Sequence, residues 1–330
     1  MTDHSNTPTS VPSGGTTRLR LGARSSALSL AQSGIIARTL EALYPGLKVD
    51  IVPISTTGDE IQDRPLHEFG GKGLFTKQLE QALIRGDVDF AVHSYKDVPV
   101  TMPLVDQSNL EFLAAPKRED PRDLLVSLKV KQIRDLPRGA TVGTGSLRRK
   151  AQLLDVRADL NVKLIRGNID TRLRKLREGE FDAIILAMAG VRRAGFFDAA
   201  YMTAIPADDM LPAASQGALA IQGRRDRAET AQLLRALNDP DTALAVSLER
   251  EVIRLLDGDC HSPIGAFAAF DGEKLTLRAT VARRDGTPPI VKASVTVARG
   301  DAESAPAHLV QALMSQGAEQ LLCDLGPPNQ

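Results

Sequence analysis

Asp89-Phe90-Ala91-Val92-His93-Ser94-Tyr95-Lys96-Asp97-Val98-Pro99 begins as a strand and ends as a cluster of reactive side chains. Phe90 to Val92 is the short apolar run of a buried strand. It gives way at once to groups that bind or donate protons, and Pro99 closes the segment. Open α/β sheets place their chemistry beyond such strand ends. A carboxylate beside a lysine there is a candidate acid–base group. On this segment alone the plainer reading, a surface Lys96–Asp97 pair after a buried strand, is the better supported one. The rest of the chain decides between them.

Outward from that stretch, the first two thirds of the chain alternate strand and helix. Leu19 to Ala23 reads as a strand, and Leu28, Ala31, Ile35, Ile36, Leu40 and Leu43 recur at helical spacing. Val49 to Ile54 is a predicted strand, and Phe75, Leu79, Ala82 and Leu83 line one helix face. A second series follows: strand to Gly143, helix from Leu147 to Leu154, strand from Val162 to Ile165, helix from Thr171 to Arg177, strand from Ala183 to Ala187. The pattern predicts parallel sheets covered by helices, an α/β fold. The charged stretch from Pro116 to Asp123 reads as a hinge or crossover, and Leu211-Pro212 marks another break. Beyond Pro240 the character becomes α+β. A helix from Thr242 to Leu256 precedes a Gly/Asp/Cys loop, three alternating strands and a final helix from Ser304 to Leu322.

With 330 residues, 42% hydrophobic and 25% charged, the chain has room for two or three ordinary globular domains. Formal net charge is zero, so no overall field favours nucleic acid or membrane. No window approaches the ~20 apolar residues of a membrane span. The cations are lopsided, 29 arginines to 12 lysines, and arginine grips carboxylate and phosphate with two parallel hydrogen bonds. Residues 1–17 read as a disordered tail without the apolar core of a secretory signal. Two cysteines are too few for a disulfide framework or a cysteine-based zinc site, so a reducing cytoplasm and no metal are expected.

Arginines and hydroxyls gather at successive strand ends. Gly143-Thr144-Gly145-Ser146-Leu147-Arg148-Arg149 joins a strand to a helix whose free N–H groups suit an anion. The dinucleotide fingerprint fails because Arg148 stands where its third Gly is needed. A capped helix with solvated arginines explains this motif equally well. Arg166 to Arg172 repeats the theme, as do Arg192-Arg193 and Arg24-Ser25-Ser26. Repetition at one topological position points to a cleft for a ligand with several negative groups, polycarboxylate or polyphosphate. Gly70-Gly71-Lys72-Gly73-Leu74-Phe75 suggests a mobile segment and lacks P-loop spacing. Cys260 sits among polar, turn-forming neighbours, which makes it a candidate nucleophile or attachment point. Cys323, beside Leu321 and Leu322, fits a buried cysteine. A non-enzymatic two-lobed solute-binding or effector-sensing protein would explain the arginines, but needs neither the loop cysteine nor a third domain.

Taken in order, Gly70 to Phe75, His93 to Pro99, Arg118-Glu119-Asp120-Pro121-Arg122-Asp123, Gly143 to Arg149, Arg166 to Arg172, Gln216-Gly217-Ala218 and the Cys260 loop resemble the porphobilinogen deaminase (hydroxymethylbilane synthase) family. The likeness runs from about Arg18 onward. It implies two lobes similar to those of solute-binding proteins, with a cleft between them, and a smaller C-terminal α+β domain. The boundaries it suggests are residues 18–116 with 217–237, then 117–216, then 238–330. It implies a cytoplasmic, monomeric transferase that joins four porphobilinogen molecules head to tail on a covalent dipyrromethane cofactor, with loss of ammonia from each. Neither nucleic acid nor membrane is an implied partner. By resemblance Asp97 and Lys96 are catalytic, and Cys260 carries the cofactor by a thioether. Lys96, Ser94, Thr144, Ser146, Arg148 and Arg149 hold that cofactor. Arg24, Ser26, Gln32, Arg166, Arg172 and Arg193 bind substrate carboxylates, and Lys72 and Phe75 lie on the mobile loop. The sequence departs from the family pattern at Ala27, where Pro is frequent, and at Ser215 and Asp259, where Gly is frequent.

Overall fold

A computed structural model describes residues 17–56, 76–101, 105, 109–259 and 262–323. The first lobe begins with β1 (Thr17–Arg24), one residue inside the expected tail, and continues through α1 (Ala27–Leu43) and β2 (Leu47–Ile54). Ser26 caps α1, its hydroxyl accepting from Ser29 N at 3.3 Å. Helix α2 (Lys77–Arg85), β3 (Phe90–Ser94) and β4 (Leu110–Ala114) follow. The second lobe contains β5 (Asp123–Val126), β6 (Thr141–Gly143), α3 (Leu147–Val156), β7 (Asn161–Lys163), α4 (Ile169–Arg177), β8 (Ala183–Ala187), α5 (Met188–Arg193) and β9 (Met202–Ala204). The chain then returns to the first lobe as β10 (Leu219–Arg224) and α6 (Ala228–Arg235).

Both sheets are mixed, which corrects the parallel sheets expected from sequence. Their orders are β2-β1-β3-β10-β4 and β7-β6-β8-β5-β9. In each, the antiparallel fourth strand is the first strand after a crossing between lobes. β5 runs against β8 with Asp123 opposite Ala187, and β10 runs against β3 with Leu219 opposite Ser94. An antiparallel strand starts at the edge where its parallel neighbours end. The starts of β5 and β10 therefore share the cleft edge with the ends of β3 and β8. Strand alternation fills both faces. Phe90 and Val92 pack with Leu40 and Leu234, while Ala91 packs with Leu79 and Leu83 on the other side. In the second lobe Ile184 and Leu186 meet Leu173, and Ile185 meets Leu153.

The C-terminal domain stacks α7 (Pro240–Leu255), α8 (Ala305–Ser315) and α9 (Ala318–Cys323) on the antiparallel sheet β11 (Ile264–Asp271), β12 (Lys274–Ala282), β13 (Ile290–Ala298). The single final helix expected from sequence is two helices, broken at Gly317 with φ 91°. β7 ends at Lys163 rather than Ile165, so Arg166 stands in the loop beyond it. Cys323 is exposed, not buried. The buried positions of α9 are Ala318 and Leu321, and two further residues turn the side chain away from that stripe.

The two crossings lie against each other, Glu119 N donating to Gly217 O at 3.2 Å. Gly217, at φ 90°, has no room for a side chain, since a Cβ would stand 2.4 Å from Glu119 O. Ser215 adopts a left-handed φ of 62°, which accounts for the glycine frequent there. Its N–H is held by Glu249 at 2.6 Å. Glu249, buried on α7, also accepts from Ala268 N at 2.9 Å and forms a two-bond pair with Arg118 at 2.6 and 3.0 Å. The Arg118 Nε donates to Gln216 O at 2.7 Å. One buried ion pair thus ties both crossings to the third domain. Arg118→Leu, which strands the Glu249 carboxylate, should cost about 3–5 kcal/mol. Urea denaturation should show this loss as a lower midpoint, and Arg118→Leu/Glu249→Leu should lose at least as much, because it also strips the buried Ser215 and Ala268 N–H groups of their acceptor. An unchanged midpoint in Arg118→Leu would refute the role.

Candidate active site

Between the lobes lies a cleft of about 360 Å³. Arg24, Ser26, Gln32, Ser94, Lys96 and Asp97 line it from the first lobe, and Arg149, Arg172 and Arg193 from the second. Asp97 closes a single 3₁₀ turn, Tyr95–Asp97, directly after β3. Its backbone is fixed by Tyr95 N donating to Ala218 O and Val98 N to Tyr95 O, both at 3.1 Å. Gln32 and Ser94 exchange hydrogen bonds at 3.0 and 3.1 Å across the entrance to α1. Gln32 is buried and Ser94 partly so.

The arginine pair of α3 is not solvated. Arg148 and Arg149 are 3% and 6% exposed, which discards the capped helix with solvated arginines. Ser146 caps α3 by accepting from Arg149 N at 3.5 Å, and Thr144 Oγ1 accepts from Ser146 N at 3.1 Å. Between the guanidinium groups lies Asp123, fully buried. Arg149 donates to its Oδ1 from Nε at 3.1 Å and Nη2 at 2.7 Å, and Arg148 Nη1 lies 2.9 Å from Oδ2. Burial opposes ionisation of Asp123, but the two arginines prevail and hold its carboxyl well below the usual range. Gln216 bridges the lobes: its Nε2 donates to Asp123 at 2.8 Å and to Pro121 O at 2.7 Å, while its Oε1 accepts from Lys96 at 3.4 Å.

Five cations and two carboxylates, Asp97 and Asp170, are among the groups lining the cleft. The surplus is felt. Burial, reinforced by the Arg149 and Arg166 charges, brings Arg172 down to about 10. Arg193 is also lowered by burial, and its Nη2 donates to Gly217 O at 2.8 Å. Burial brings Lys96 down to about 8 against the opposing pull of Asp97, with Arg149 adding to the fall. A confined excess of positive charge is stabilised by an anion. His93 is buried and drawn down to about 4 by desolvation, hence neutral at pH 7. It bonds Gln222 at 2.9 Å, which in turn donates to Glu80 at 2.7 Å.

Thr144, Ser146, Arg148 and Arg166 are not among the groups described as lining the cleft. Arg148 shares Asp123 with Arg149, and its Nη1 donates to Leu211 O at 2.5 Å. Lys72, Phe75 and Cys260 lie outside the described residues. The Asp259 carboxylate accepts from Ser262 N and Oγ, both at 2.9 Å. Among the described residues only Ser215 and Asp257 combine a side chain with positive φ, so Asp259 occupies a backbone conformation that does not demand glycine. Sequence reasoning missed Asp123 and Gln216 as site residues. The available signal was position: each ends a crossing just before an apolar run. Among the described residues no His/Cys/Asp/Glu group could hold a metal ion.

The family model "Porphobilinogen deaminase, dipyromethane cofactor binding domain" matches residues 19–232, and "Porphobilinogen deaminase, C-terminal domain" matches 243–315. A porphobilinogen deaminase of Syntrophobacter fumaroxidans is 47% identical over 304 residues, covering 92% of this chain and 96% of the relative. One from Geobacter sulfurreducens is 44% identical over 308 residues, covering 93% and 95%. Among solved structures, a probable amino-acid ABC transporter extracellular-binding protein of Bacillus subtilis is similar over 67% of this chain and 91% of its own, at 14% identity and a TM-score of 0.41.

The depressed Lys96 pKa has a measurable sign. Burial disfavours the cation, so the ammonium is present below about pH 8 and lost as pH rises through that value. Calorimetric titration with glutarate should give steady affinity below that pH and weakening affinity above it. Lys96→Arg should abolish the step, because guanidinium does not titrate in this range. Persistence of the same step in Lys96→Arg would assign it to another group.

Proposed function

Because the chain belongs to the porphobilinogen deaminase family, we propose that its cleft is the site where porphobilinogen units are joined head to tail, with Asp97 as the catalytic carboxylate. The enzyme is a transferase of tetrapyrrole biosynthesis that condenses four units, releases ammonia from each and frees the product, hydroxymethylbilane, by hydrolysis. The observation that carries the site assignment is the placing of Asp97 in the same cleft as Arg24, Arg149, Arg172 and Arg193.

The substrate demands both signs. Each pyrrole bears an acetate and a propionate, which the arginines accept as charge-assisted pairs. Departure of ammonia leaves positive charge on the substrate methylene. A fixed carboxylate at that point stabilises the transition state more than the neutral ring. Asp97 also takes the proton displaced from the pyrrole carbon when the new bond forms. Lys96 neutralises carboxylates while its ammonium persists, and Gln32 and Ser94 orient the nearby polar contacts.

Dipyrromethane is the cofactor of this family, and it supplies the primer pyrrole to which the first unit is joined. The residues fit such a group: it is rich in carboxylates, and Arg149 and Arg172 lie in a region of excess buried cation. Arg148, Arg149, Lys96, Ser94, Thr144 and Ser146 are assigned to it, and Arg24, Ser26, Gln32, Arg166, Arg172 and Arg193 to substrate. Cys260 is the proposed attachment point. The assignment is to a monomer, and the low cysteine count suits a reducing cytoplasm. Among the described residues no helix is long and apolar enough to cross a membrane.

Two experiments test these assignments. Intact mass should show a dipyrromethane adduct in the wild-type protein and in Cys323→Ala, and none in Cys260→Ala. The Cys323 comparison matters because that thiol is exposed. An adduct mapped to Cys323 would move the attachment, and an active enzyme without any adduct would support a different use of the cleft. Asp97→Asn keeps the size but loses the charge and the proton acceptor, so turnover should fall by about 10²–10⁴-fold with the melting temperature nearly unchanged. Near-normal tetrapyrrole formation by folded Asp97→Asn would remove Asp97 from the mechanism.

A further inference from the structure

Arg250 lies on α7 in the C-terminal domain, outside the cleft lining described above. Its guanidinium reaches into the first lobe. Nη1 donates to the carbonyl of Val98 and Nη2 to that of Pro99, each at 2.8 Å. The same plane lies over the Tyr95 ring, 4.8 Å from its centroid. One rigid group therefore contacts the chain on both sides of Asp97. Tyr95 leans in turn on Phe112 of β4, with 5.5 Å between ring centroids.

The segment needs such support. A 3₁₀ turn of one cycle has poor internal geometry, and this one has no side-chain cap at Ser94. Pro99 offers no N–H to bond the chain onward. Fork geometry explains why arginine serves here: two carbonyls one residue apart receive two separate donors from one planar head. Burial lowers the Arg250 pKa, the sign of a cation held in the protein against a desolvation cost. Glu249, the preceding residue, anchors α7 to Arg118 of the first crossing. The helix that bears Arg250 is thus fixed independently of the turn it holds.

We infer that Arg250 is a positioning residue for Asp97, a clamp through which the C-terminal domain fixes the turn that carries the carboxylate. The inference rests on the catalytic assignment of Asp97. A displacement of about 1 Å at a reacting group is enough to cost about 100-fold in rate. Loss of the clamp should therefore appear in turnover rather than in substrate affinity.

Arg250→Met keeps an unbranched apolar stem against Tyr95 and removes both donors. Arg250→Lys keeps the charge and can serve one carbonyl at a time. For each full-length holoenzyme, the measurements are cofactor occupancy by intact mass, kcat and KM for porphobilinogen per occupied site, and amide hydrogen exchange by mass spectrometry. In Arg250→Met the peptide spanning residues 95–101 should exchange about 10-fold faster while peptides of α1 and β1 keep their wild-type rates. kcat should fall by about 10–100-fold with KM within about threefold, and Arg250→Lys should recover part of both losses. Wild-type exchange in residues 95–101 overturns the clamp. Faster exchange with unchanged kcat overturns its catalytic meaning, as does a loss of activity explained wholly by lower occupancy. Should Arg250→Met fail to fold, Arg250→Lys decides by the same two readings. A wild-type protein that consumes no porphobilinogen would defeat the proposed function, while the exchange measurement would still judge the clamp.

Discussion

Asp123 brings one negative charge, out of contact with water, against two guanidinium groups. This contact sets the character of the cleft. A buried arginine pair without a counter-charge would repel itself and pay the desolvation of both ions. A single carboxylate makes the pair tolerable without neutralising it. Arg149 lines the cleft and can meet an incoming anion, while Arg148 shares the same carboxylate outside that lining. Through Gln216 the same carboxylate is connected to Lys96 in the other lobe. The charges of both lobes are thus linked through one neutral side chain, and the second lobe cannot shift against the first without stretching that connection.

Much of the fold was legible because helices and parallel strands announce themselves by period. Leu28 to Leu43 is an example, and Ala183 to Ala187 shows instead as a continuous apolar run. The antiparallel strands were not legible. Asp123-Leu124-Leu125-Val126 is only four residues long and fully buried, so it does not alternate. Leu219 to Arg224 contains a buried Gln222 and a Gly223, neither typical of a central strand. Missing those strands meant missing what leads into them: Asp123 is the first residue of β5, and Gln216 lies three residues before β10. The strand-end arginines and Asp97 were legible because they follow parallel strands, where the topological rule applies. The roles of Arg118, Glu249 and Arg250 depend on contacts between residues 131 to 152 positions apart, and no local pattern encodes them.

The C-terminal domain is more than a platform for a cysteine. Successive residues of α7 face different partners: Glu249 holds the crossings, and Arg250 holds the turn after β3. Successive helical positions are separated by about 100°, so one helix can serve both without conflict. The segment that includes Cys260 begins a turn later, after Leu255. Changes in the position of α7 would reach the crossings, the Asp97 turn and that segment together.

The place of β10 in the first sheet has a consequence for how the chain is made. β10 is the only link between β3 and β4 in the described sheet, yet it is separated from β4 by the entire second lobe. During synthesis from the N-terminus, the strands of the second sheet all emerge before β10 does. The second lobe can therefore complete its pairing as a contiguous unit, while the first lobe, although begun earlier, waits with an open gap beside β3. Closing that gap brings together segments separated by a long loop, a step whose entropy is recovered only once β10 is seated on both sides. The lobe that bears Asp97 is thus the first to be started and the later to be finished, and its open strand edges must stay unpaired with other chains until then.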